Sequence, residues 1–412
     1  MKVAIFNTFY FPKFIGGAEI SVQLLAEGLV KAGHEVSVIT FGRYNGTETI
    51  KGVQIIRIQQ SNVFSSFEDE KRPAYLKILW HLIDSFNPSY YFTIKNILKY
   101  IKPDVVHTNN IQGFSPFLWL LIKYLKYPLV HTLRDYYLLC HRNNLYSENC
   151  NCIKLCSDCK VTHSIKKNFA GTPDCMVGIS KFILEKHEEY IPRLTNNNTT
   201  VIYNAVDKPA VASTISNNGK IIFGYIGRIS EDKGVEYLLR EISHINKNLK
   251  SDFKILLAGK GEPEYIDYLK KYLKGIDYEF LGLVNPANFY SKIHVSIVPS
   301  LWYEPFGRIV IEALSYSVPV CLSKMGGLGE LNNPDCTWAF DPDKNQLTEV
   351  LEHIINHKAE ISLKKSKCID HAEKFSAARY VREYTSVYKK VISGLTPVPK
   401  SEACEFNQGA LE

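Results

Sequence analysis

Short apolar runs alternate with stretches of helical period along most of the chain. KVAIFN, EVSVIT, VQIIRI, PDVVHT, PLVHTL, DCMVGIS and TTVIYN are Val- and Ile-rich runs of the kind that form strands buried on both faces. AEISVQLLAEGLVKAG and FSPFLWLLIKYLK instead space apolar residues three and four apart, which predicts helices. After Asp207 the stretch KPAVASTISNNGK loses both periods and is expected to be a linker. Alternation then resumes, with IIFGYIG, DFKILLAG, YEFLGLV, VSIVPS and VPVCLS as strands. Such alternation predicts parallel sheets covered by helices on both faces. The expected fold class is therefore α/β, with two doubly wound Rossmann-like domains facing across a cleft, over residues 1–207 and 208–375. A helix over 376–394 has no strand after it and is expected to cross back and brace the first domain, and 395–412 reads as a polar tail.

Composition narrows the class without changing it. Of 412 residues, 45% are hydrophobic and 22% charged, as in ordinary globular proteins. No apolar run reaches the ~18 residues that a spanning helix needs. MKVAIFNTFYF reads as a buried strand without a small-residue cleavage site, so a cytoplasmic protein is expected. The net charge is +7, and much of the surplus is local: eight Lys or Arg face two Asp between Lys71 and Tyr127. Aromatic and aliphatic residues interleave with these cations in AYLKILWHLI, YYFTIKNILKYIK and FLWLLIKYLKY. Basic amphipathic stretches suit an anionic membrane surface, as a peripheral contact on the inner face; ordinary helices with solvated lysines are the plain alternative. No nucleic-acid-binding motif accompanies the charge, so no nucleic-acid partner is expected.

The stretch EPFGRIVIE runs from Glu304 to Glu312. Pro305 suits the first turn of a helix, which would put Glu304 just before the helix and Glu312 two turns along, roughly 12 Å away. The N–H groups of Phe306, Gly307 and Arg308 would then form an anion site between two carboxylates. A long ligand with central phosphates and terminal hydroxyls, such as a nucleotide sugar, fits that arrangement. A capped surface helix fits it too.

Three further motifs follow strands in the same way. Gly16-Gly17-Ala18-Glu19 starts a helix, and paired glycines let a phosphate or sugar approach the backbone. It lacks the GxGxxG pattern of a nicotinamide site. FGYIGRISEDKG sets Arg228 and Lys233 on one loop, two cations able to neutralise a diphosphate; Arg228 could equally pair with Glu231 or Asp232. LLAGKGE brings Gly259, Gly261 and Glu262 to another glycine loop.

Taken in order, GGAE, GR-x4-KG, GKGE and E-x7-E resemble the retaining glycosyltransferases of family 4, which have the two-domain B-type fold. The similarity runs from Met1 to about Ser393 and includes VVHTNN, VIYNAVD and GGLGE. The resemblance implies an acceptor-side first domain and a donor-binding second domain. Gly16 and Gly17 would approach the donor diphosphate, and Arg228 and Lys233 would bind its phosphates. Glu304 would hold the transferred sugar, the backbone of Phe306, Gly307 and Arg308 would cradle phosphate, and Glu312 would hold the ribose, with Glu262 also on the donor side. The donor would be a UDP- or GDP-sugar carrying a hexosyl or N-acetylhexosaminyl unit. The acceptor would be a glycan, expected to be lipid-linked, in polysaccharide or glycoconjugate synthesis. Catalysis would need no cofactor or divalent metal, the leaving phosphate taking the acceptor's proton. Many relatives carry a histidine where PLVHTLRDYYLLC has Arg134, so Arg134 joins Glu304, Arg228 and Lys233 as a catalytic candidate. Glu19, His107 and Asp135 are acceptor-side candidates. A noncatalytic nucleotide-sugar-binding partner of a biosynthetic complex is the competing reading.

Five of the ten cysteines cluster in LLCHRNNLYSENCNCIKLCSDCK: Cys140, Cys150, Cys152, Cys156 and Cys159. The spacing resembles a thiolate metal site, structural zinc or an iron–sulfur cluster. Spacing alone leaves open which four would ligate, and reduced cysteines packing an insertion are the alternative.

Overall fold

The computed structural model describes residues 1–14, 16–65, 67, 72–196, 198–207 and 219–394. The tail from 395 and most of the linker after Asp207 lie outside the described residues. The chain forms two compact units. The first comprises Met1–Leu145, Ile153–Asn204 and the chain from Ala377; the second comprises Tyr146–Cys152 and Ala205–Ser376.

The strands of the first unit begin with β1 (Lys2–Phe6), β2 (Glu35–Gly42), β3 (Gly46–Ile50), β4 (Val53–Gln59), β5 (Val105–Thr108) and β6 (Leu129–Leu133). After β6 the chain makes a short hairpin of β7 (Tyr146–Ser147) and β8 (Cys150–Asn151), which belongs to the second unit, before the first unit resumes with β9 (Cys175–Gly178) and β10 (Thr199–Val201). Apart from the hairpin they make one sheet ordered β10-β9-β6-β5-β1-β2-β4-β3, parallel except for the antiparallel edge strand β3. The runs picked out by hydrophobicity fill the centre, where β1 and β6 are buried along nearly their whole length. The pattern missed β3, because GTETI is polar and largely exposed. It is held by a two-residue turn at Lys51-Gly52, both with positive φ, the hairpin geometry that matches strand twist.

The helices of this unit are α1 (Gly17–Lys31), α2 (Ala74–Ser85), α3 (Tyr91–Ile101), α4 (Phe117–Tyr124), α5 (Ser157–Lys166) and α6 (Lys181–Tyr190). The second unit carries α7 (Val235–His244), α8 (Pro263–Leu269), α9 (Pro286–Tyr290), α10 (Arg308–Ser315), α11 (Leu347–Asn356) and α12 (Lys358–Glu373). The last helix, α13 (Ala377–Ile392), belongs to the first unit. Its Tyr380, Tyr384 and Tyr388 repeat every fourth residue and are fully buried. Tyr384 Oη lies 2.9 Å from Thr132 Oγ1, and Tyr388 Oη lies 2.7 Å from His107 Nδ1.

The second unit's sheet contains β11 (Ile221–Ile226), β12 (Phe253–Ala258), β13 (Asp277–Gly282), β14 (Val295–Val298), β15 (Val320–Ser323) and β16 (Thr337–Phe340). Its order is β13-β12-β11-β14-β15-β16, all parallel. The order reverses between β11 and β14, which opens a crevice at the carboxyl ends of those two strands. Among the described residues, no helix is long and apolar enough to cross a membrane.

Burial in the first unit sets its response to acid. Burial holds His81 and His187 down to about 4 and His131 down to about 3, and it also holds His107 well below the usual imidazole value. Unfolding restores their ordinary affinity for protons, so the unfolded state binds more protons below about pH 6.5 and stability falls as pH falls towards 4. The buried carboxyls of Asp84 and Asp135, both raised by burial, work in the opposite direction but are fewer. The unfolding temperature of this unit is therefore expected to be clearly lower at pH 5 than at pH 7.5. Calorimetry showing no change over that range would refute this account.

Candidate functional site

The crevice of the second unit is bordered by the loops after β11 and β14. The first loop runs from Gly227 to Gly234 and carries Arg228 and Lys233; the second carries Glu304. Gly234, at φ 70°, ties them together: a Cβ there would lie 1.9 Å from the carbonyl oxygen of Pro299. That close approach brings Lys233 Nζ to 2.8 Å from Glu304 Oε2. The ammonium also lies 4.8 Å from the ring centroid of Trp302, and Ser300 Oγ is 3.5 Å from the same carboxylate oxygen. Both charged side chains remain partly accessible, at 24% and 16%. Two residues chosen from separate motifs thus meet at the point where strand order reverses.

The backbone of Glu304 is fixed from two sides. Gly327 N–H donates to the Glu304 carbonyl at 2.7 Å. Gly326 has φ 62°, and a Cβ at that position would lie 2.6 Å from the same carbonyl oxygen, so GGLGE packs backbone directly on backbone. On the other side, Asn151 of the β7–β8 hairpin donates from Nδ2 to Leu301 O at 2.7 Å and accepts from Tyr303 N–H at 2.8 Å. Sequence reasoning missed Asn151, Ser300 and Trp302; nothing in their spacing marks them.

Arg228 is more exposed, and its guanidinium pairs with Asp232 at 2.6 Å and Ser230 at 3.1 Å. The ion-pair alternative raised by the sequence is thus the observed arrangement. Ile229 bridges in parallel to Gly261, so the GKGE loop lies beside the Arg228 loop, with Glu262 exposed before α8. Asp341 accepts from Asp343 N–H at 3.1 Å and caps the short turn that follows.

The expected start of α10 is corrected. Gly307 stands at the N-cap with φ 93°, and this left-handed residue breaks the path between Pro305 and Arg308. Helical backbone begins at Arg308, so the helix mouth offers the N–H groups of Arg308 and Ile309 rather than that of Phe306. Phe306 is buried against Phe375. Because Glu304 and Glu312 are not on one continuous helix, the ~12 Å spacing from helical rise no longer applies. Glu312 lies within α10 beside Arg308; burial raises its carboxyl and Arg308 partly offsets this. Among the described residues, Arg308 Nε is buried without a hydrogen-bond partner.

In the first unit, Gly16 N–H donates to Glu19 Oε2 at 2.9 Å as α1 begins at Gly17. A Cβ at Gly16 would meet nothing within 4 Å, which leaves open space beside the helix start. Asp135 accepts from Tyr137 N–H at 2.9 Å. Burial pushes its carboxyl up to about 6; Tyr137 N–H and Lys166 pull it down, and Glu19 pushes it up.

Two candidates of this unit are corrected. Arg134 is 5% exposed, and its guanidinium donates to Asn109 (2.8 Å), Asn204 (2.9 Å) and Tyr380 (3.0 Å), so it is a buried tie between strand loops and α13. His107 is fully buried, with one ring nitrogen on Thr132 at 2.8 Å and the other on Tyr388. Each nitrogen of the two side chains is thus engaged at least once within the unit. A recess of about 540 Å³ beside β3 and β4, lined by residues such as Asn45, Arg57 and Tyr90, holds none of the candidates.

The five clustered cysteines separate, and two of them meet a histidine. The ligand atoms of His141, Cys156 and Cys159 lie within 4.8 Å of one another. Cys150 and Cys152 fall instead at the hairpin, where the exposed Cys150 thiol donates to Ser147 O at 3.2 Å.

Comparison with known proteins bears on the family and the fold. The family described as Glycosyltransferase Family 4 matches residues 15–208, and Glycosyl transferases group 1 matches residues 208–375. A Klebsiella pneumoniae protein of the cps region, described as uncharacterized, is 35% identical over 335 residues, 81% of this chain and 87% of that one. The GalNAc-alpha-(1->4)-GalNAc-alpha-(1->3)-diNAcBac-PP-undecaprenol alpha-1,4-N-acetyl-D-galactosaminyltransferase of Campylobacter jejuni is 25% identical, covering 86% of this chain and 91% of that one. The crystal structure of Anabaena HepE in complex with UDP superposes with a TM-score of 0.69 at 15% identity, covering 95% of this chain and all of that one. Two adjoining family matches, a relative alike over most of both chains and a shared two-domain fold agree: the chain belongs to the group 1 glycosyltransferases, with a family 4 N-terminal half.

Proposed function

We propose that the chain transfers a hexosyl or N-acetylhexosaminyl unit, with retention of configuration, from a UDP- or GDP-sugar to a lipid-linked glycan in polysaccharide or glycoconjugate synthesis. The carrying observation is the Lys233–Glu304 contact at the reversal point of the second sheet. A diphosphate arriving beside Lys233 takes over the cation, and the carboxylate of Glu304 turns to accept hydrogen bonds from the sugar. Arg308 and the first amides of α10 add positive potential to the same crevice. As the glycosidic bond breaks, negative charge grows on the leaving diphosphate, and fixed donors stabilise it more than the ground state. Arg228 is held on its loop by Asp232 and supplies a second cation, so the reading needs no divalent metal. In this reading Glu312 would hold the ribose, and Gly16, beside which a Cβ would meet nothing within 4 Å, would leave room for a sugar or phosphate.

The membrane part of the reading rests on α2, α3 and α4. Tyr75, Ile78, Leu79, Leu82, Phe92 and Tyr124 are exposed on these helices, among the lysines of the basic tract. That mixture suits an anionic bilayer on the cytoplasmic side. The Campylobacter relative is named for an undecaprenol-linked substrate, and HepE was crystallised with UDP; both support the substrate classes chosen.

Thermal-shift titration with UDP-, GDP- and ADP-sugars tests the donor. One UDP- or GDP-sugar is expected to raise the unfolding temperature, since a ligand at a hundred times its Kd stabilises by about 2.7 kcal/mol. The absence of a shift with every nucleotide sugar and with bare UDP and GDP would overturn the proposal.

A further inference from the structure

Helix α5 begins with the pair Cys156-x2-Cys159, Cys156 at its N-cap and Cys159 in the first turn. Two bonds set α5 in register against the preceding segment. His163 Nδ1 bonds Leu138 O at 2.9 Å, and the buried Lys166 donates to Tyr137 O at 3.1 Å while lying 3.5 Å over the Tyr137 ring. The partners Tyr137 and Leu138 lie three and two residues before Cys140. The register therefore delivers Cys159 against Cys140 and His141, with His141 Nδ1 3.2 Å from Cys159 Sγ and the thiol of Cys140 within hydrogen-bonding reach of the same sulfur.

The sulfurs are surrounded as thiolate ligands are. Cys140 Sγ accepts backbone N–H groups from Arg142, at 3.4 Å, and from Asn144 and Leu145. Cys159 Sγ accepts from His141 N–H and lies within reach of Cys156. Backbone N–H donors to ligand sulfur are the outer shell that orients metal thiolates. Ligands placed ~2.0–2.3 Å from one tetrahedral zinc ion lie roughly 3.3–3.8 Å apart, and the His141, Cys156 and Cys159 atoms are gathered to within 4.8 Å before any ion draws them in.

We infer that Cys140, His141, Cys156 and Cys159 form a closed structural zinc site that locks the insertion after Asp135 onto the first unit. Three thiolates and an imidazole are a soft donor set that selects zinc over hard cations. The assignment replaces Cys150 and Cys152 with a histidine that cysteine spacing could not reveal. It stands independently of the donor site.

The test is metal analysis of full-length protein expressed with zinc and purified under reducing conditions without a metal-affinity tag. About one zinc per chain is expected, released when the thiols are blocked with an organomercurial. Cys156→Ser and His141→Ala should each retain below about 0.2 zinc per chain, whereas Cys150→Ser/Cys152→Ser should keep the full complement. Where the single variants fold poorly, cobalt substitution of the unaltered protein serves instead: a tetrahedral spectrum with thiolate charge-transfer bands supports the site, and an octahedral one refutes it. Metal-free protein, zinc that follows Cys150 and Cys152, or thiol titration showing a Cys140–Cys159 disulfide would each overturn the inference.

Discussion

Glu304→Ala is expected to lower kcat/KM for sugar transfer by about 10²–10³-fold while leaving the unfolding temperature nearly unchanged. The size follows from removing one preorganised group at a centre of developing charge, ~3–4 kcal/mol. The stability expectation follows from the attachment of residue 304: Gly326 and Gly327 hold its backbone, and Asn151 holds the neighbouring residues. The carboxylate contributes only a partly accessible pair with Lys233, and the ammonium still lies over the Trp302 ring when that pair is lost. Glu304→Gln separates charge from shape and should recover part of donor binding but little turnover. Steady-state kinetics with the donor identified by thermal shift, alongside calorimetry, reads both effects. Full turnover by purified Glu304→Ala protein would remove this residue from the site.

Arg134→Leu should do the reverse, destabilising the first unit by about 3–5 kcal/mol, as breaking a buried charged network does. Asn109, Asn204 and the Tyr380 hydroxyl all lose their charged donor in the interior. Arg134→Lys should fail to rescue, because a point charge cannot serve three acceptors set around a planar fork. Denaturant unfolding of the purified variants measures the loss. Unchanged stability combined with abolished transfer would show that Arg134 touches substrate after all.

These two residues show what was legible in the sequence. Glu304 and Lys233 stood out because glycines and polar residues after apolar runs mark strand-end loops, where parallel sheets place ligands. The central strands were readable for the same reason, since burial on both faces leaves only apolar choices. Arg134 occupies a loop of the same kind, and nothing local distinguishes a cation facing solvent from one buried against α13. Its neighbours Asn204 and Tyr380 lie 70 and 246 positions away. His141 was passed over because a single histidine acquires meaning only when a helix is set beside it by bonds to Tyr137 and Leu138. Strand β3 and the left-handed break at Gly307 arise from backbone turns rather than side-chain pattern, and so were missed.

The placement of α13 also bears on how the protein is made. The first unit draws its final helix from the far end of the polypeptide, after the whole second unit has been translated. Until Tyr380, Tyr384 and Tyr388 leave the ribosome, the inner polar groups at His107, Thr132 and Arg134 have no lid. A nascent chain must therefore carry an unfinished N-terminal half through most of its synthesis, and the unit that begins to emerge first is the one completed last.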